Sequence, residues 1–304
     1  MWDELVCPFD QGSFASYGNW LSCRRCGRGV PVIDGIPQFQ PAEDDAHWRG
    51  LQKLRAMEVA GARDDDIARS SMLRKLARQI ERRLSDHVRI TPQTRMVQVG
   101  VPGEGVIHHL RGGVCYAVDP LAGEMSAHET LRHGRVRWIA GRGEELPFAD
   151  RSIDLILLDQ TLVHAEKPET VLREASRALK PNGVLLITCP IEPSPTMSLI
   201  HRLAYGVRHA AQLVRRSRHL HTFTARQLVR LTRLAGLKRM KSWWGQRQGN
   251  GLFHLDGSGM LASFRGGFAV ILARPNLQES PRRLRFLRTP AAVQTQAQLE
   301  SRAA

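Results

Sequence analysis

The chain has 304 residues, 42% of them hydrophobic, and a net charge of +15, which suffices for one full α/β domain and a small appendage. Its longest apolar runs, such as GVLLITCPI, fall well short of the ~18 residues of a membrane-spanning helix, and the opening MWDELV carries neither a basic nor a long apolar leader, so a cytoplasmic protein with no transmembrane segment is expected. Five cysteines, three of them within residues 7–26, argue against a disulfide framework and favour a metal site.

The first expected unit, residues 1–40, is a small ribbon. Cys7 stands three positions before Asp10, and Cys23 three before Cys26, so two knuckles each turn two side chains toward one tetrahedral ion. A core this small needs such a staple. The stretch, with its ending VPVIDGIPQF from Val30 to Phe39, resembles the short zinc-ribbon-like domains related to the activator subunit of tRNA methyltransferases. That resemblance implies a structural zinc on Cys7, Asp10, Cys23 and Cys26, since a closed four-ligand set leaves no open position for a catalytic water. Asp10 departs from the usual four cysteines, so an ordered zinc site and a metal-free ribbon both stay open.

Residues 41–90 read as a charged helical connector with no strand signals, partly covering the domain that follows. From Arg95 the pattern changes to short apolar runs alternating with helices: MVQVG, VCYAVD, VRWIA, IDLILL and GVLLITCP, the signature of a parallel sheet covered on both faces. The stretch VQVGVPGEGVIHHL reads as a strand, a glycine turn and a helix. AVDPLAGEM, GRGEELPFADRSIDLILL and EKPETVLREASRALKPNGVLLITCP follow in that order. Together these motifs resemble the type 11 group of class I S-adenosylmethionine-dependent methyltransferases. The fold expected from the resemblance is α/β, a Rossmann-like seven-stranded methyltransferase sheet over residues 91–275, with the small zinc-ribbon-like domain at its N-terminus.

The same resemblance implies S-adenosylmethionine as cofactor, held by Gln98, Gly100, Val101, Gly103, Gly105, Asp119, Pro120, Arg142, Gly143 and Asp159. Asp119 lies nineteen residues after Gly100, where a carboxylate can accept from both ribose hydroxyls. Two positions depart from the family. Gln98 replaces an acid that helps fix the methionine amino group, in a turn, G-V-P-G-E-G, that is one residue longer. Arg142 replaces an acid that meets the adenine amino group, although Gly143 keeps its backbone donor. Losing a charge-assisted hydrogen bond costs on the order of 1 kcal/mol more than losing a neutral one, so weakening is expected over abolition. No catalytic base is assigned: Asp159 and His164, in LLDQTLVHAEKP, are the candidates near the pocket, and His164 is equally a helix-face or capping histidine.

After the fifth strand the charge becomes strongly basic. Residues 192–249 carry twelve Lys or Arg against Glu192 alone, a net of +11, and residues 274–304 a net of +4. Within 195–218, Met197, Ile200, Leu203, Ala204, Val207, Ala211 and Val214 repeat at helical spacing, while His201–Arg202, Arg208–His209 and Arg215–Arg216 recur every seven residues. This reads as an amphipathic basic helix. FTARQLVRLTRLAGL follows as a helix, then KRMKSWW and GFAVILARP as late strands, and residues 276–304 as a basic, disordered tail. Residues 195–247 are where an RNA backbone, an anionic membrane surface or an acidic small substrate would meet the protein, the membrane giving a peripheral location; a solvated helix face is the plain alternative. Trp243–Trp244 either stack on bases or pack in a strand. Three functions remain open: a methyltransferase for a small-molecule or lipid-linked acceptor, an RNA-directed methyltransferase or RNA-binding protein, and a non-catalytic methyltransferase-like scaffold.

Overall fold

The computed structural model describes residues 2–39, 66–101, 103–122, 134–192, 220–247, 253–255 and 267–276. The expected basic helix, the first part of the connector, Pro102 and nearly all of the tail lie outside the described residues.

Four short strands, β1 (Phe14–Tyr17), β2 (Trp20–Cys23), β3 (Gly29–Ile33) and β4 (Ile36–Pro37), form an antiparallel sheet in that order. The second sheet contains β5 (Arg95–Val99), β6 (Val114–Asp119), β7 (Val136–Ala140), β8 (Ile153–Asp159), β9 (Leu179–Ile191), β10 (Leu237–Arg247), β11 (Phe253–Leu255) and β12 (Gly267–Pro275). Its order is β11-β10-β12-β9-β8-β5-β6-β7. The five strands from β7 to β9 are parallel, and β12, β10 and β11 join antiparallel. Seven of the strands are the expected ones; the eighth, β11, pairs with the outer edge of β10.

The central strands are apolar on both faces because both are covered. On one face Val97, Val99, Val118, Ile156, Leu158 and Ile187 pack beneath α2 (Pro168–Ala178) and α3 (Ala225–Leu234) through Val171, Leu172, Ala175 and Leu228. On the other, Met96, Ala117, Trp138, Leu155 and Leu157 pack beneath α1 (Asp66–Leu84), whose Leu73, Leu76, Ala77, Ile80 and Leu84 recur at helical spacing. Trp244 is buried in the first layer, and Trp243 packs against the second with the Arg83 guanidinium 5.4 Å from its ring. Trp244 is therefore a packed core residue, and Trp243 is packed in part.

One local expectation fails. The segment after the glycine turn is a single 3-10 turn, Val106–His108, in place of an α-helix. The chain has to re-enter the sheet at Val114 and spends Gly112 and Gly113, with φ of 72° each, on the turn that does so. The face left open is closed by α1, where Glu81 accepts from the Arg111 N–H at 2.7 Å and Ser70 donates to Glu104 at 3.2 Å.

The ribbon joins the free edge of the large sheet. Leu5 bridges Phe148, and Val6 N–H donates to the Pro147 carbonyl at 3.1 Å. Gln38 bridges Ala140 in parallel register, with Phe39 N–H donating to the Ala140 carbonyl at 2.6 Å. Leu5 and Phe39 belong to the large domain's core, and Glu4 accepts from both Tyr116 and Arg137. Covering β7 in this way protects an otherwise open sheet edge.

Candidate functional site

Strand β5 is flanked by β6 on one side and β8 on the other, so the chain leaves its C-terminal end at the point where strand order reverses. Crevices at such points are where open α/β sheets hold ligands. A small cleft, open to solvent, lies there. Its floor comes from Val99, Gly100, Val118 and Pro120, one wall from Arg142, Gly143 and Glu144, and the other from Thr161, His164, Ala165, Glu166 and Val171.

The glycines of the turn answer to local sterics. Gly100 and Gly103 have φ of 75° and 90°, a region that side chains rarely adopt. A Cβ on Gly105 would stand 2.6 Å from Val101 Cγ1 and 2.9 Å from Gln98 Oε1; one on Gly143 would stand 2.9 Å from Val99 Cγ1. The Gln98 side chain is buried, and its Oε1 accepts the Ile107 N–H at 2.8 Å, tying the strand to the 3-10 turn. His108 Nδ1 accepts from the Gly105 N–H at 3.0 Å, and burial lowers the pKa of this imidazole, favouring the neutral ring that the role requires.

Asp119 ends β6 fully buried, and its Oδ1 accepts from the Leu121 N–H at 2.9 Å. Thr161 Oγ1 donates to the Val99 carbonyl at 2.6 Å, locking the exit of β8 to that of β5. Gln160, with φ of 56°, turns the chain from Asp159 toward that bond, and Asp159 accepts from Thr188. Glu144 Oε1 accepts from the N–H groups of Glu166 and Lys167 at 2.9 and 3.2 Å, holding one wall against the other.

Of the residues expected from sequence, Gly100, Pro120, Arg142 and Gly143 line the cleft, as does His164. Gln98, Val101, Gly103, Gly105, Asp119 and Asp159 build the turn and strand ends behind it. Val99, Val118, Glu144, Thr161, Ala165, Glu166 and Val171 were not expected. Thr161 and Glu166 flank the weighed His164 in LLDQTLVHAEKP, and that proximity was the one available signal.

The ribbon brings a second group together. The ligand atoms of Cys7, Asp10, Cys23 and Cys26 all lie within 4.8 Å of one another. Cys7 and Cys26 sulfurs are 3.8 Å apart, and Cys23 Sγ is 3.4 Å from Asp10 Oδ1. A tetrahedron with Zn–S bonds of ~2.3 Å has edges of ~3.8 Å, so the donor set fits such an ion. The knuckles share a backbone device: Gln11 and Gly27, each four positions after the first cysteine of its knuckle, have φ of 61° and 72° and donate to the Cys7 and Cys23 carbonyls. Arg25 and Cys26 N–H groups point at Cys23 Sγ at 3.4 and 3.5 Å.

The strand order, the antiparallel β12 beside β9 and the cleft at β5 define the Rossmann-like fold of class I S-adenosylmethionine-dependent methyltransferases. Residues 97–187 match the family model described as a methyltransferase domain, so the stretch from β5 into β9 is a methyltransferase domain by sequence as well as by fold. The ubiquinone/menaquinone biosynthesis C-methyltransferase UbiE of Rubrivivax gelatinosus is 38% identical over 23% of this chain and 28% of its own length. A methyltransferase of Mycolicibacterium vanbaalenii without assigned function is 33% identical over 40% of this chain and 49% of its own. The chain thus spans a quarter to a half of the length of these curated relatives. Among solved structures, the Burkholderia thailandensis 1,6-didemethyltoxoflavin-N1-methyltransferase, with 1,6-didemethyltoxoflavin and S-adenosylhomocysteine bound, is similar in fold. Its TM-score is 0.50 and its identity 19%, covering 82% of this chain and 96% of that one.

Proposed function

We propose that the protein is an S-adenosylmethionine-dependent methyltransferase for a small-molecule or lipid-linked acceptor, with one structural zinc ion in its ribbon. The observation that carries the reading is the cleft itself. It opens at the switch point of a methyltransferase sheet, beside a turn in which Gly105 has no room for a side chain and Gly100 and Gly103 take φ of 75° and 90°, and beside a second strand that ends in an aspartate. The names of the relatives support the acceptor class: one acts in ubiquinone and menaquinone biosynthesis, and another has 1,6-didemethyltoxoflavin bound.

The cofactor would be held by the turn from Gly100 to Gly105, by Asp119 and Pro120, and by the wall at Arg142 and Gly143. When bound it supplies an activated methyl group on a sulfonium. The protein's own task is to hold the acceptor in line with that methyl and to keep water out. Thr161 contributes by fixing the strand ends that form the floor. His164 stands in the wall, where it can take a proton from an acceptor that carries one on its attacking atom. Among the described residues no helix is long and apolar enough to cross a membrane.

Isothermal titration tests the reading. Wild-type protein should bind S-adenosylmethionine, and Asp119→Ala should bind about thirty- to hundredfold more weakly, the roughly 2–3 kcal/mol of a lost carboxylate acceptor. Absence of heat and of any thermal stabilisation at millimolar cofactor would sink the proposal and favour the scaffold reading.

A further inference from the structure

The cleft wall contains a charged pair that cofactor binding in general does not require. Arg142 Nη1 lies 3.5 Å from Glu166 Oε2, and both residues line the cleft with side chains 18% and 32% exposed. Each is therefore partly withdrawn from water yet reachable by a ligand. Glu166 is held by its backbone: its N–H donates to Glu144 Oε1 at 2.9 Å, and its carbonyl faces His221 Nε2 at 3.4 Å. Arg142 is held beside Gly143, where the backbone approaches Val99 and Val171 too closely for a Cβ. The neighbouring carboxylate, Glu144, is already occupied by two backbone donors.

A guanidinium only donates hydrogen bonds and an ionised carboxylate only accepts them. Side by side, they offer an entering ligand one donor and one acceptor. The edge of adenine presents the complement, an exocyclic amino donor beside a ring-nitrogen acceptor. We propose that Glu166 and Arg142 together read the adenine base, Glu166 accepting from the amino group and Arg142 donating to the adjacent ring nitrogen. The proposal rests on the cofactor reading above and deepens it. Arg142 then serves as half of a recognition pair whose acid is supplied from the loop after β8.

Hypoxanthine reverses both groups: a carbonyl replaces the amino group, and the adjacent ring nitrogen carries hydrogen. A site built to hydrogen-bond one pattern rejects the reverse strongly, because its own polar groups are left unpaired. The test is calorimetric binding of S-adenosylhomocysteine and S-inosylhomocysteine to wild type, Glu166→Ala and Glu166→Gln, with circular dichroism to confirm folding. Wild type should prefer the adenosine form by about a hundredfold or more, and Glu166→Ala should shrink that preference to about tenfold or less by losing adenosine affinity. Glu166→Gln, isosteric and able both to accept and to donate, should hold S-adenosylhomocysteine within about tenfold of wild type and bind the inosyl compound more tightly than wild type does. That variant carries the test if the alanine one does not fold. An unchanged preference in both variants, or no preference in a wild type that binds S-adenosylhomocysteine, overturns the assignment of the pair. A wild type that binds neither compound overturns the cofactor reading and this proposal with it.

Discussion

His108 sits where the glycine turn meets β7, its ring centroid 5.4 Å from that of Trp138 and its Nδ1 accepting from Gly105. Burial lowers its pKa from the ordinary 6.5; the Gly105 carbonyl, 3.2 Å from Nδ1, and the charge of Glu104 oppose that shift, while His109 and Arg135 add to it. An unfolded chain therefore takes up a proton here at a higher pH than the folded one does. The contribution is fully present above pH ~6.5 and is lost as pH falls from there through the lower folded value. Urea unfolding midpoints for wild type should drop between pH 7.5 and 5.5, and His108→Gln, which keeps an acceptor for Gly105, should show a smaller drop; equal drops in both proteins would refute the assignment. Gln98, nearby, shows how far single residues were legible. Its place at the end of the first strand could be read, but its partner could not, because the bond to the Ile107 N–H exists only once the turn has collapsed to a 3-10 geometry. Glu166 was invisible for a similar reason: before Lys167 and Pro168 it reads as an acid near a helix start, and only the fold brings it against Arg142.

At the scale of elements, α2 and the loop before β8 are joined by Arg177. Its guanidinium bonds Glu174 in bidentate fashion at 3.1 and 2.8 Å, reaches Asp150 at 2.9 Å, and donates to the carbonyls of Leu146 and Phe148 at 3.0 and 2.6 Å. This accounts physically for the run ELPFADRSID: it is a loop whose carbonyls point at one cation on the following helix. Desolvation works against that charge, but Glu174 and Asp150 outweigh it and raise its pKa. Arg177→Ala leaves the Leu146 and Phe148 carbonyls and the Asp150 carboxylate without this donor, and Glu174 with the Leu146 N–H but no guanidinium; it should cost about 3 kcal/mol, read as a lower denaturant midpoint at unchanged m-value. Arg177→Lys should recover only part, since an ammonium lacks the planar fork; full recovery would show that charge alone matters. The strands were the easiest elements to read, because β5, β6, β8 and β9 are buried on both faces and so are nearly unbroken in apolar character. β11 was not, since three residues on an outer edge leave no periodicity to detect.

Across the whole molecule, the ribbon's attachment was the feature least visible beforehand. It depends on two isolated bridges, a few backbone bonds, the packing of Leu5 and Phe39 into the large core and side-chain bonds of Glu4 and Gln11, and such contacts leave no pattern in sequence. They also determine what zinc removal should do. Residues on both sides of the knuckles are anchored to the large domain, Leu5 and Val6 before them and Gln38 and Phe39 after them, whereas residues 7–28 between them touch it through the Gln11–Arg177 bond at 3.2 Å and Phe14 and have the four-ligand cluster at their centre. Losing the ion should therefore loosen the knuckles while the anchors at Ala140 and Phe148 persist, leaving the wall at Arg142 and Gly143 in place. Cys23→Ala should lose its zinc by elemental analysis and become sensitive to proteolysis between residues 7 and 28, with cofactor affinity within about threefold of wild type. Asp10→Cys should keep the ion or bind it more tightly, since it restores an all-thiolate set. Equal zinc content in wild type and Cys23→Ala would show that the cluster is not a metal site, and a large loss of cofactor affinity in a zinc-free Cys23→Ala would show that the knuckles themselves, beyond the anchors, support the cleft.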